Sequence, residues 1–262
     1  MYRYIITTLL IFGVPSLQHK IPRNERIIGG NPARAGQFPF AVAIFVQTSD
    51  SRFFCGGSLL TTRHILTAAH CVDGGIVFNV QAGSNRLEGD EAYRYDASTN
   101  DYILHPDYNP ETLENNVGFV VLRMDMPLIV GYRWSVSYLP TEDLEAGEGA
   151  IAIGWGQLGD ETPGPENDLH YVDLATLTNA ECKLTYGNQI TDDMVCAEGN
   201  YNEGTCIGDS GSPLVQNVRL GLMKQVGIAT FVSTNGCEST DPSGFTRLYP
   251  HIDWIKNITN RD

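Results

Sequence analysis

The apolar positions of this 262-residue chain come in short runs broken by turn residues. Phe40 to Val46, Ile76 to Val80, Val117 to Leu122, Ala150 to Trp155 and Val226 to Val232 are each of strand length. Runs of that length and spacing predict an all-β protein, a barrel or sandwich of antiparallel strands. One stretch breaks the pattern. At Pro250 to Ile258 a proline suited to a first helical turn precedes Ile252 and Ile255, which share a face at spacing i, i+3, so one helix is predicted near the end. The chain carries no internal repeat and no low-complexity run.

The first residues follow another rule. Met1-Tyr2-Arg3 is positively charged, Tyr4 to Val14 is apolar, and the small residues Pro15 and Ser16 follow. A run this short does not span a bilayer as a helix. It fits a secretory signal peptide over residues 1–16, which makes the protein secreted and extracellular. Residues 17–26 form a short basic segment with Lys20, Arg23 and Arg26 against one acid, Glu25. The net charge of −14 argues against nucleic acid and anionic membranes, which need basic patches. Six cysteines in a secreted chain imply three disulfides, and composition leaves all 15 pairings open.

Chemistry concentrates in Thr205-Cys206-Ile207-Gly208-Asp209-Ser210-Gly211-Ser212-Pro213. One hydroxyl, Ser210, stands between glycines with an acid just before it. Glycines let the backbone turn sharply and approach a ligand closely. The N–H groups around such a serine can face developing negative charge. A second stretch, Leu66-Thr67-Ala68-Ala69-His70-Cys71, sets a histidine after small residues and beside a cysteine.

Together these stretches resemble the chymotrypsin-like serine peptidases, the chymotrypsin, elastase and collagenase-like branch more than the trypsins. Arg26-Ile27-Ile28-Gly29-Gly30 is similar to that family's activation site. Cys55-Gly56-Gly57-Ser58-Leu59, His105-Pro106, Gly154-Trp155-Gly156 and Trp254-Ile255 follow in the family's order, so the resemblance runs from Ile27 to about Ile258. It implies two antiparallel β-barrels packed together with a C-terminal helix. It also implies a propeptide over 17–26, a peptidase domain over 27–262, and a crossover between barrels within about 126–149. The disulfides it implies are Cys55–Cys71, Cys182–Cys196 and Cys206–Cys237. Ser210 matches the nucleophile, His70 the base, and the N–H groups of Gly208 and Ser210 the oxyanion hole. Asp209 matches the acid that receives the new amine of Ile27 once a trypsin-like peptidase has cut after Arg26.

One position departs from the family. Its third triad member is an aspartate, and the matching segment here is Asn115-Asn116-Val117-Gly118-Phe119-Val120, with Asn116 in the aspartate's place. Asparagine is neutral and can donate to the histidine Nδ1, fixing the wrong tautomer; in a relative the same change lowers kcat about 10⁴-fold. Glu114 and Asp125 are acids nearby in sequence, and strand alternation or distance is expected to keep both from that spot. The pocket floor matches Gly204, without charge, and the walls match Val232 and Ser243, neither of them glycine. Thr230-Phe231-Val232 is the expected edge strand for the substrate backbone. Cleavage is therefore expected after medium apolar residues rather than after Lys or Arg.

Other features carry less. Glu88, Asp90 and Glu91 lie in a loop that binds calcium in some relatives and reads here as a solvated acidic loop. His19, His64, His105, His170 and His251 read as surface or packing residues, and no metal or cofactor is expected. Asn257-Ile258-Thr259 is an N-glycosylation triplet. The resulting expectation is a monomeric secreted serine endopeptidase made as a zymogen and acting on protein or peptide substrates. Its rival is a catalytically poor homologue kept as a binding or regulatory module, and a purely structural extracellular domain comes third.

Overall fold

The computed structural model describes residues 29–89, 91–127, 138–161, 163–219 and 222–259. The expected leader, propeptide, Arg26–Ile27 cut site and Asp90 lie outside the described residues. The strands are β1 (Asn31–Pro32), β2 (Ala41–Gln47), β3 (Arg52–Leu59), β4 (His64–Thr67), β5 (Val77–Ala82), β6 (Tyr95–Thr99) and β7 (Tyr102–Leu104). After them come β8 (Gly118–Val121), β9 (Gly149–Gly154), β10 (His170–Thr176), β11 (Met194–Glu198), β12 (Pro213–Arg219), β13 (Leu222–Phe231) and β14 (Ser243–Arg247). Three helices join them: α1 (Ala69–Val72), α2 (Asn179–Tyr186) and α3 (Ile252–Thr259).

The strands form two barrel-like sheets. The first has the order β6-β5-β2-β3-β4-β8-β7. The second runs β1-β10-β11-β14-β13-β12-β9, and β9 also pairs with β10, which closes it. Closure removes sheet edges that would otherwise template aggregation. The passage between the barrels runs from β8 to β9 and includes residues 128–137, outside the described set.

The continuous apolar run in β2 has a physical reason. Side chains alternate faces along a strand. Val42, Ile44 and Val46 fill the first barrel, whereas Ala41, Ala43 and Phe45 face a second cluster with Ile153, Trp155 and Val215 from the other barrel. Both faces of β2 are therefore covered. Strand β10 shows the half-buried alternative, with buried and more exposed positions alternating from His170 to Thr176.

The C-terminal helix appears as expected: Pro250 sits in a single 3₁₀ turn, and α3 follows from Ile252. Its buried residues Ile252, Ile255 and Ile258 join the first barrel's core, and the Trp254 ring lies 5.5 Å from that of Phe119. The chain's last element thus straps back onto its first half. Contrary to the expectation of a single helix, α2 also forms. It buries only Cys182, so its apolar pattern is faint, but Thr178 and Glu181 make a reciprocal capping box at its start.

Candidate active site

Sequence and packing fix His70 before any chemistry is considered. Strand β4 leads through the fully buried Ala68 and Ala69 into the one-turn helix α1, which presents the half-buried imidazole. The next residue, Cys71, is tied to Cys55 of β3 with Cα atoms 6.2 Å apart. Asn116 meets His70 from the other side. It enters β8 after Asn115, whose φ of 54° is left-handed and whose N–H donates to the Asp193 carboxylate at 2.6 Å.

The amide of Asn116 is fully buried and makes two contacts that fix its orientation. Its Oδ1 accepts the backbone N–H of His70 at 3.0 Å, and its Nδ2 lies 2.9 Å from His70 Nδ1. The same oxygen is 3.3 Å from Nδ1, a longer contact. A backbone N–H can only donate, so the oxygen must face it and the NH₂ must face the ring. Nδ1 is then the acceptor, which puts the neutral ring's proton on Nε2. Burial also pushes the His70 pKa below its ordinary value, only partly opposed by the Asn116 hydrogen bond. Glu114 and Asp125 do not substitute: among the described residues their side-chain partners are Thr112 and Thr62.

Ser210 sits on the turn before β12. Its carbonyl accepts the N–H of Gly56 at 2.8 Å, locking the turn to β3. Gly211 follows at φ 82°, and a Cβ there would collide with Thr67 Oγ1 and the Gly56 carbonyl, so glycine is required by both conformation and space. Asp209 turns inward. It is 1% exposed and accepts N–H groups from Cys206 at 2.9 Å and Gly156 at 2.8 Å. Burial raises its pKa to about 6 against the pull of those two bonds. Gly154-Trp155-Gly156 owes its glycines to this carboxylate, since a Cβ at either would strike it.

One cleft of about 230 Å³ collects His70, Gly208, Ser210 and Thr230–Val232. A histidine, a serine on a glycine turn, and a buried aspartate beside it thus converge from both halves of the fold. The chain matches the family described as Trypsin over residues 27–255. The chain belongs to the trypsin family of chymotrypsin-like serine peptidases.

Among its relatives in that family is brachyurin of Leptuca pugilator, 35% identical over 89% of this chain and 98% of that protein. Chymotrypsin-2 of Vespa crabro is 34% identical over 88% of this chain and 98% of its own length. The solved structure of HL collagenase superposes with a TM-score of 0.78 at 30% identity, covering 90% of this chain and all of that one. The three disulfides take the pairing that the resemblance implies, Cys55–Cys71, Cys182–Cys196 and Cys206–Cys237.

Gly204, Val232 and Ser243 line a small cavity of about 10 Å³, room for about one water, which shares Thr205 and Val232 with the 230 Å³ cleft. Ser243 Oγ accepts the Thr205 N–H at 2.9 Å and would stand 2.6 Å from any Cβ at Gly204. Thr230 spends its hydroxyl inside the barrel on Ile228 O and Thr246 Oγ1, which leaves its backbone rather than its side chain toward the cleft.

His251, read from the sequence as a surface or packing residue, does more than that. His251 Nε2 lies 2.6 Å from Asp193 Oδ1, and His251 is 3% exposed. Asp193, just before β11, thereby ties the 3₁₀ turn that leads into α3 to the Asn115–Asn116 segment. No sequence signal links positions 115, 193 and 251, because their proximity exists only after both barrels and α3 have packed. The acidic loop is held from within: Arg94 donates to the carbonyls of Gly89 (2.6 Å) and Arg86, and Glu91 accepts the Asn85 N–H. The loop's carbonyl oxygens thus face a cation that the chain itself supplies.

Proposed function

We propose that the protein is a secreted serine endopeptidase, made as a zymogen, that cleaves after small to medium apolar residues and is slow at neutral pH. Ser210 Oγ attacks the scissile carbonyl, the N–H groups of Gly208 and Ser210 stabilise the oxyanion, and His70 moves the proton from nucleophile to leaving amine. Substrate backbone pairs with Thr230–Val232 by strand addition. Gly204 leaves the pocket without charge, and Val232 and Ser243 limit its depth, which favours Ala, Val or Leu over Lys or Arg.

Activation fits the same residues. Cleavage after Arg26 creates the Ile27 amine, and Asp209 is the buried carboxylate that receives it. A buried carboxylate without a countercharge costs several kcal/mol, so the pair stabilises the turn carrying Gly208 and Ser210 once it forms.

The observation that carries the slow rate is the Asn116 amide, with Oδ1 on the His70 N–H and Nδ2 2.9 Å from Nδ1. With its proton on Nε2, the ring turns no lone pair toward Ser210, so His70 acts as base only from its minor Nδ1–H tautomer and turnover is slow. Asn116→Asp is therefore expected to raise kcat roughly 10³–10⁴-fold, with little change in KM. Equal kcat for both forms at neutral pH, measured after cleavage at Arg26, contradicts this reading. The same amide favours a second reading, a homologue that binds polypeptide without turnover. That reading stands if Asn116→Asp gains nothing and neither form is labelled by a serine-directed phosphonate.

A further inference from the structure

Asn116 is the middle residue of a three-residue turn, closed by the Val117 N–H, which donates to the Asn115 carbonyl at 2.7 Å. In such a turn the peptide planes on either side set the direction of the central side chain. Both planes are gripped. Leu113 and Asn115 have φ of 59° and 54°, left-handed values that outside glycine persist where the surroundings impose them. The Asn115 N–H donates to Asp193 Oδ2 at 2.6 Å, a short charge-assisted bond, and Asn115 Nδ2 donates to the Asp107 carbonyl at 3.0 Å. At the turn's other end the Val117 carbonyl accepts the His105 N–H at 3.1 Å.

The two grips meet behind the turn. His251 Nε2 lies 2.6 Å from Asp193 Oδ1, and the His251 ring packs edge-on against the His105 ring with centroids 5.2 Å apart. Trp254 of α3 covers the same His105 ring at 4.8 Å. A circuit of contacts therefore runs from Asn115 through Asp193, His251 and His105 to Val117, with Asn116 between its ends. The circuit crosses from one barrel to the other. His105 follows β7 and Asn115–Val117 lead into β8, both of the first barrel, which also carries His70. Asp193 is fixed to the second barrel, since its carbonyl accepts the Arg247 N–H of β14 at 2.8 Å. Ser210 stands on that second barrel, so the circuit ties the half bearing the hydroxyl to the half bearing the imidazole. Burial keeps water from competing for these bonds: the side chains of His251 and Asp193 are 3% and 14% exposed.

We propose that Asp193 is a positioning residue for His70. Its carboxylate clamps the Asn115 N–H, the clamped peptide sets the turn, and the turn aims the Asn116 amide, with Oδ1 at the His70 N–H and Nδ2 at Nδ1. His251 holds the carboxylate in place. The kinetic consequence rests on the peptidase reading above; the consequence for the ring proton does not. Without the carboxylate Asn115 relaxes out of its left-handed conformation, and the amide loses its single orientation. Its oxygen then faces the ring part of the time and favours the Nδ1–H tautomer. Asp192, one residue away, is an exposed acid outside the circuit and serves as the control.

The test compares Asp193→Ala, Asp193→Asn and Asp192→Ala, each in otherwise native protein and in protein carrying Asn116→Asp, after cleavage at Arg26. In otherwise native protein the readout is the pair of His70 ring ¹⁵N shifts at neutral pH. Asp193→Ala is expected to turn a single Nε2–H tautomer into an exchanging mixture. In Asn116→Asp protein the same change is expected to lower kcat about tenfold or more and to move KM by less than about twofold, because the misplaced group touches the ring and not the substrate. Asp193→Asn keeps an oxygen for the Asn115 N–H and is expected to recover most of both readouts, and Asp192→Ala to change neither. A purely structural Asp193 would lower the melting temperature in Asp193→Ala and leave the shifts and kcat of the folded protein as they were. That result overturns the proposal, as does an Asp192→Ala effect equal to that of Asp193→Ala. Should Asp193→Ala not fold, His251→Leu, which frees the carboxylate, is read in its place with the same expectations. If Asn116→Asp protein turns nothing over, moved ¹⁵N shifts uphold the clamp and reject the peptidase reading, and unmoved shifts reject the clamp.

Discussion

Two buried positions at this site treat charge in opposite ways. At Asp209 the chain keeps a carboxylate in a place where burial, outweighing two backbone hydrogen bonds, raises its pKa to about 6. At Asn116, equally inaccessible, it carries a neutral amide. Burying an ion is costly unless a partner charge or several hydrogen bonds meet it. Asp209 has two backbone donors and, on our reading, the Ile27 amine after activation. Asn116 faces a histidine whose own pKa is held low by burial, so no cation balances a carboxylate there until the reaction forms one. On our reading the residues that assemble the site on activation are kept, while the carboxylate that would steady the imidazolium is replaced by an amide.

The comparison can be broken at its weaker member first. Restoring the charge with Asn116→Asp carries the largest expected effect, the roughly 10³–10⁴-fold rise in kcat described above. Removing charge from the stronger member comes next. Asp209→Asn should cost about 10²–10³ in kcat/KM after cleavage at Arg26, the size expected for breaking a buried pair, and should leave uncut protein unaffected. Equal losses in cut and uncut protein would detach Asp209 from activation.

Stability against pH separates the two positions further. The folded pKa of Asp209 is about 6 and its ordinary value 3.8, so this carboxyl is raised on folding. The folded state holds its proton where the unfolded state has lost it, and stability from this group falls as pH rises from about 4 to about 6. Uncut protein should therefore gain roughly 2 kcal/mol relative to Asp209→Asn on going from pH 7 to pH 4. Cut protein should gain less, because the new amine favours the carboxylate. Thermal melts of both forms at the two pH values check this, and a flat difference contradicts it. Asn116, which does not titrate, contributes no such slope.

The smallest expected effect concerns the pocket. Val232→Gly should widen its mouth and raise kcat/KM for Phe and Tyr before the bond about tenfold relative to Ala. An unchanged ratio would place the limit elsewhere, with Ser243 the next side chain to shorten.

What the sequence could show was whatever is local. Ser210, His70 and Asp209 announce themselves because turn glycines, small helix residues and neighbouring cysteines lie within a few positions of each. The Asn116 substitution was visible for the same reason, but the direction of its amide was not. That depends on the His70 N–H, which α1 aims at Oδ1 only in the folded chain. The Asp193–His251 contact was invisible because it joins elements distant in sequence. The apolar run in β2 announced burial without saying that two different cores share it. Helix α2 left a readable trace in Thr178 and Glu181, and its nearly polar surface hid it.

The central claim is the proton's position on His70, and it can be observed without turnover. Two-bond ¹⁵N–¹H correlation spectra of activated protein at neutral pH distinguish a ring nitrogen that carries hydrogen from one that does not. The account predicts His70 as the Nε2–H tautomer in the native protein and as the Nδ1–H tautomer in Asn116→Asp. A native spectrum with the hydrogen on Nδ1 would contradict it.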